Sequence, residues 1–137
     1  MRSVVGAWNL TGYVVERDDG TLGPAQWEAP SGLLIYTADG HMSVNMMNQV
    51  ERPFDAARWW DGSPEQKLAA ASTYFGYAGR YTQTDTTIVH RIEYSLFPGW
   101  VGADHERMAE LEGDRLTLRD RIPGQAANVA LSWERLS

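Results

Sequence analysis

Two consecutive strand-like runs carry the side chains best suited to chemistry in this sequence: His90, Tyr94 and Arg107. From Thr86 to Phe97, Ile88, His90, Ile92 and Tyr94 share one face, while Val89, Arg91, Glu93 and Ser95 share the other, because successive strand side chains alternate. The first set is apolar enough to face an interior, which carries His90 and Tyr94 inward. From Asp104 onward, His105, Arg107, Ala109 and Leu111 alternate with the more charged Glu106, Met108 and Glu110. Arg107 is therefore expected inward, beside His90. An inward guanidinium is costly unless it is paired or holds an anion. A histidine and an arginine in an apolar cup could hold a carboxylate or enolate, with the imidazole placed for proton transfer. A plainer reading stands beside this one, with His90 a satisfied core residue and Arg107 paired to a glutamate near the rim. A β-bulge in either strand would invert the faces.

Tyr36, Met42, Val44, Met46, Trp59, Phe75, Trp100 and Trp133 are the candidate ligand contacts around that group. Tyr36 has two placements. If Leu34, Tyr36 and Ala38 face inward, its hydroxyl can donate to a ligand carbonyl; if Leu33, Ile35 and Thr37 do, Tyr36 is external. Met42, Met46 and Met47 make an adaptable wall or plain core. Six Trp and six Tyr exceed what a minimal core requires; about half are expected at strand ends and under loops rather than on a cavity wall.

Other chemistries lack support. His41, His90 and His105 are the three histidines, none with a partner at metal-ligand spacing. There is no Gly-rich phosphate loop and no Gly-x-Ser-x-Gly elbow. Glu93, Glu106 and Glu110 look outward by parity, which argues against a paired-carboxylate hydrolase. No metal and no cofactor are expected.

Positioning such residues requires a barrel. Turn signals divide the chain into short alternating runs, as in an antiparallel barrel or sandwich. The expected strands are residues 6–17, 31–38, 41–48, 77–84, 86–97, 104–111, 115–121 and 128–136. Asp39-Gly40 is a strong hairpin dipeptide, and Asp85-Thr86 and Gly113-Asp114 mark further turns. Leu22 to Pro30 reads as a loop too irregular to pair well. Ser63-Pro64-Glu65-Gln66 starts a helix with a capping box and Pro at its first position. Leu68, Ala71 and Phe75 then fall on one face, and the helix is expected to end near Gly76 or Gly79. With the connection from Gln49 to Gly62 it is either a lid carrying Trp59 or Trp60 inward, or a helix on the outer wall.

The chain's ends supply matching halves of a floor. Trp8 opens the first strand; Trp133 and Arg135, two apart on the last, point to one side, so the guanidinium can lie across an indole. The length of 137 residues fits one barrel domain spanning 1–137. The net charge of -6 disfavours nucleic acid or an anionic membrane as partner. The absence of cysteine, of an apolar leader and of a bilayer-length run leans towards a cytoplasmic protein.

The runs Gly32-Leu33-Leu34-Ile35-Tyr36-Thr37-Ala38-Asp39-Gly40-His41-Met42-Ser43-Val44 and Ser95-Leu96-Phe97-Pro98-Gly99-Trp100-Val101-Gly102 resemble the bacterial and fungal lipocalin-like domain family. The resemblance extends through Arg107, Leu111 to Leu118 and the terminal Trp133-Glu134-Arg135, nearly the whole chain. Gly99 departs from it, standing where a more polar residue, often Asn, is expected. The resemblance implies a mainly β protein, a closed calycin-type barrel of about eight antiparallel strands around a central cavity. Family members look like small-molecule binders, some beside natural-product assembly genes, and no catalytic set carries over. The expected function is thus binding of a hydrophobic or mixed-polarity small molecule, polyketide- or terpenoid-like. The alternative is a cofactor-free cyclase or isomerase in the same cavity, and a weaker one is a filled structural barrel. A homodimer is expected only by analogy with such barrels.

Overall fold

A chain whose apolar residues alternate with polar ones over many short runs can bury one face of its sheet by rolling it into a tube. The computed structural model, which describes residues 1–137, shows this solution. The strands are β1 (Gly6–Arg17), β2 (Leu22–Pro24), β3 (Pro30–Tyr36), β4 (His41–Asn48), β5 (Tyr74–Gln83), β6 (Thr87–Ser95), β7 (Asp104–Glu112), β8 (Arg115–Arg121) and β9 (Ala127–Arg135). Helix α1 (Pro64–Ser72) lies between β4 and β5. All pairings are antiparallel, and β9 returns to β1 to close a barrel of eight long strands. The short β2 is an addition outside that count. β3 reaches only Gly6–Asn9 of β1, so the far half of β1 has an open edge. Leu22, Gly23 and Pro24 take it up opposite Glu16, Val15 and Val14, which corrects the expectation that this stretch does not pair.

The turns follow local chemistry. Gly40 adopts φ 92° in the β3–β4 hairpin and Gly113 φ 59° between β7 and β8, a region where only glycine is free of strain. The floor forms where the chain's ends meet. Trp8 and Trp133 are 0% and 1% exposed, and burying an indole of ~150–250 Å² is worth roughly 4–6 kcal/mol. Arg135 lies 4.3 Å above the centre of the Trp8 ring and donates to the Val5 and Ser3 carbonyls at 2.6 and 3.1 Å. The tight β3–β4, β5–β6 and β7–β8 turns gather at this closed end. The longer β4–β5 and β6–β7 connections gather at the other, where the mouth is.

Helix α1 starts as its sequence dictates: the Ser63 hydroxyl accepts from the Gln66 amide at 3.1 Å, and the Gln66 side chain accepts from the Ser63 amide at 3.3 Å. It ends earlier than expected, at Ser72, because Tyr74, Phe75 and Tyr77 pair with Met47, Met46 and Val44. Sheet pairing there wins over helical spacing. The expected apolar helix face does not pack either, since no residue of α1 is buried and Leu68 is 69% exposed. Arg52 ties the connection down instead, donating to Thr73 Oγ1 at 2.8 Å and to the Ala70 carbonyl at 3.0 Å.

Two bulges set which residues face inward. In β1 the register shifts between Leu10 and Gly12, so Trp8 and Leu10 point inward before the shift and Tyr13 after it. In β6, Tyr94 pairs with Ala78 but Ile92 pairs with Gly79, leaving Glu93 as the extra residue. A Cβ at Gly79 would collide with the Arg91 carbonyl and crowd the Glu93 amide, so glycine is what lets the β6 backbone fold over β5 here.

Candidate functional site

The alternation of β4 and β5 builds the first wall. Val44 and Met46 point inward opposite Tyr77 and Phe75. β9 and β8 build the facing wall with Val129, Leu131, Trp133 and Leu118. Between them lies a cavity of about 270 Å³, completed by Tyr13, Leu34, His90, Arg107, Asp120 and Trp100. Eleven of its fourteen lining residues are hydrophobic. The ionisable groups His90, Arg107 and Asp120 gather with Tyr77 on one side, while the Tyr13 phenol and the unpartnered Trp133 indole N–H are polar points elsewhere in the lining.

That side centres on His90, which is 1% exposed. Its Nε2 is hydrogen-bonded to the Tyr36 hydroxyl and its Nδ1 to the Tyr77 hydroxyl, both at 2.6 Å. Burial disfavours the imidazolium, and the nearby Arg107 charge adds to this, so the His90 pKa is pushed down to about 3. Burial likewise raises the Tyr36 phenol well above its ordinary range, and raises Tyr77 against the opposing pull of the Arg107 charge. At neutral pH the three groups are therefore uncharged.

Arg107 is 8% exposed and pairs with Asp120 across 3.0 Å. It also donates to His105 Nδ1 at 3.3 Å, and burial with the Arg107 charge lowers the His105 pKa. Trp100 comes from a 3-10 turn, Pro98–Trp100, in the β6–β7 connection. Its ring stands edge-on to His105 at 4.2 Å, to Phe75 at 5.2 Å and to Tyr77 at 5.8 Å. It bounds the cavity at the mouth.

His90 and Arg107 thus meet at one wall. Tyr94 does not join them. The Glu93 bulge turns its side chain out, and it is 72% exposed, which corrects its expected inward placement. Tyr36 takes the inward placement, opposite Met42, and lies behind His90 rather than on the cavity surface. Val44, Met46, Phe75, Trp100 and Trp133 line the cavity; Met42, 3% exposed, is packed in the core below it. Trp59 is 46% exposed and stacks on Phe54 at 5.4 Å, and no residue between Gln49 and Ser72 lines the cavity. Arg107's partner is an aspartate, not the expected glutamate.

Sequence reasoning missed Tyr77, Asp120, Tyr13, Leu118, Val129 and Leu131. Asp120 was readable, since it shares a strand face with Leu116 and Leu118. Tyr13 was not, because the β1 bulge reverses the parity set by Trp8 and Leu10.

The family model for a lipocalin-like domain matches residues 5–136. The chain belongs to the lipocalin-like domain family. This lipocalin-like domain is also similar to a 4'-hydroxy-3'-methoxypropiophenone carrier protein of Aspergillus oryzae, with 27% identity over 69% of this chain and 96% of the relative. No solved structure matches it closely. No helix of the domain is long and apolar enough to cross a membrane.

Proposed function

We propose that this lipocalin-like domain binds and carries a small, uncharged, largely apolar molecule, about one ring system with short substituents. The observation that carries this reading is the cavity itself: about 270 Å³ and mostly apolar, with its ionisable groups gathered on one wall and a free indole N–H from Trp133 on the wall facing it. That volume lies just below the ~300–1,000 Å³ usual for small-molecule sites, so a long chain or a fused polycycle does not fit without rearrangement. The polar wall has no unpaired charge, because Asp120 neutralises Arg107 and His90 is neutral. A neutral ligand suits it better than a carboxylate.

The relative, named as the carrier of an aryl ketone, supports this reading in size and chemistry. The low basicity of His90 favours carriage over catalysis. An imidazole whose pKa is about 3 is a poor proton acceptor near neutrality, where efficient general bases sit close to the working pH.

Native mass spectrometry after exposure to an extract of the source cells tests the proposal. A retained compound of unchanged mass supports carriage. A new isomer or dehydrated product, formed beyond the protein's molar amount, supports the cyclase or isomerase reading instead. No retained species and an unshifted melting temperature contradict both.

A further inference from the structure

We propose that Tyr36, His90 and Tyr77 form a one-way hydrogen-bond chain ending in a hydroxyl donor towards the cavity, so that the ligand presents an uncharged acceptor oxygen, an aryl ketone or similar carbonyl. This rests on the binding function proposed above and specifies the polar end of the ligand.

A neutral imidazole has one N–H donor and one bare acceptor nitrogen. Both ring nitrogens of His90 contact a tyrosine hydroxyl at 2.6 Å. One phenol must therefore donate to the ring while the other accepts from it. The surroundings decide which. Tyr36 is 1% exposed, and its hydroxyl has no hydrogen-bond partner besides His90 Nε2. If Tyr36 accepted, its own hydrogen would be a buried donor with no acceptor, which folded proteins avoid. Tyr36 therefore donates to Nε2. The ring proton sits on Nδ1 and is donated to the Tyr77 oxygen. The hydrogen of Tyr77 is then left over, and Tyr77 lies on the cavity wall.

Reversing the chain would bind the Tyr77 hydrogen to the ring and show the ligand only an oxygen lone pair. Arg107, also on this wall, can only donate. The nearby acceptor, Asp120, receives Arg107 on Oδ2 at 3.0 Å and makes no hydrogen bond to the Tyr77 hydroxyl, whose one partner is His90. Tyr77 and Arg107 thus call for an acceptor in the ligand, and the neutral balance of the wall calls for one without charge. In this scheme Tyr77 touches the ligand, and Tyr36 is a positioning residue that acts through His90.

Long-range proton–nitrogen NMR of the labelled full-length protein reads the order directly. The expected result is a His90 proton on Nδ1; a proton on Nε2 overturns the chain. Affinities for propiophenone and for propylbenzene, which lacks only the carbonyl oxygen, test its consequence. Tyr77→Phe is expected to weaken propiophenone about tenfold, the scale of one lost hydrogen bond, and propylbenzene less than about twofold. Tyr36→Phe, although off the cavity surface, is expected to weaken propiophenone several-fold, spare propylbenzene, and let an Nε2-protonated ring appear. Equal losses for both probes, or an unchanged propiophenone affinity in Tyr77→Phe, overturn the proposed ligand class. Failure of both probes to bind the unmodified protein contradicts the binding function, and the ligand class with it, while the NMR result still decides the chain.

Discussion

Asp120 is what allows Arg107 to sit inside the barrel. The Arg107 side chain is 10% exposed, whereas the Asp120 side chain is 49% exposed, so the two partners are not equivalent. Removing Asp120 leaves a buried cation without its counter-charge; removing Arg107 leaves a carboxylate that can turn to water. Asp120→Asn is therefore expected to destabilise by about 1–3 kcal/mol, below the full cost for a sealed pair because one partner is half solvated. Arg107→Met is expected to cost less than about 1 kcal/mol, since its replacement packs against apolar walls. Urea denaturation of both variants measures the asymmetry; equal losses would contradict it. His90 gives a pH signature. Its folded pKa is about 3, below the unfolded value near 6.5, so the unfolded chain binds the proton more readily between these values. The stability contributed by neutral His90 is complete above about pH 6.5 and lost as pH falls towards 3, at no more than ~1.4 kcal/mol per pH unit. The lowered pKa of His105 acts in the same sense. Denaturation between pH 6.5 and 4.5 is expected to show a clear slope in the unmodified protein and a shallower one, left by His105, in His90→Gln. Parallel slopes would place His90 in contact with water.

At the scale of elements, the β6 bulge decides which side chains reach the site. Strand parity places Ile88, His90 and Ile92 inward, and all are at most 1% exposed. It fails for Tyr94 because Glu93 is an extra residue opposite the Ala78–Gly79 step. A bulge leaves little mark on the strand that carries it; the mark here is Gly79 on the neighbouring strand, where no side chain fits over the Arg91 carbonyl. Gly79→Ala is expected to lower the melting temperature by ~10 °C or more, as for a loss of about 3 kcal/mol in a domain of this size. A change of a few degrees would mean the strands separate easily there. The hairpins, the helix cap and the Trp8–Arg135 floor were legible because each depends on neighbours in sequence or on matching motifs at the chain's ends. Trp100 at the mouth and the exposed face of α1 depend on how connections fold back over the barrel, and no local pattern encodes that.

Considered whole, the molecule is a cup with a stapled base and a ring-sized interior. The base and the cavity are separate in function. Arg135→Met removes a cation–π contact and the donors to Val5 and Ser3, and is expected to cost about 2 kcal/mol of stability without changing ligand affinity. A parallel loss of affinity would mean that the floor shapes the site. The account as a whole stands on the interior being a binding site for a small carbonyl-bearing aromatic molecule. Calorimetric titration with propiophenone tests this most directly, using the unmodified protein and a Leu131→Trp variant whose new indole fills the cavity. The account predicts saturable one-to-one binding to the unmodified protein, recovery of the ketone unchanged, and loss of binding in the filled variant. No binding, or equal binding to both proteins, would contradict it.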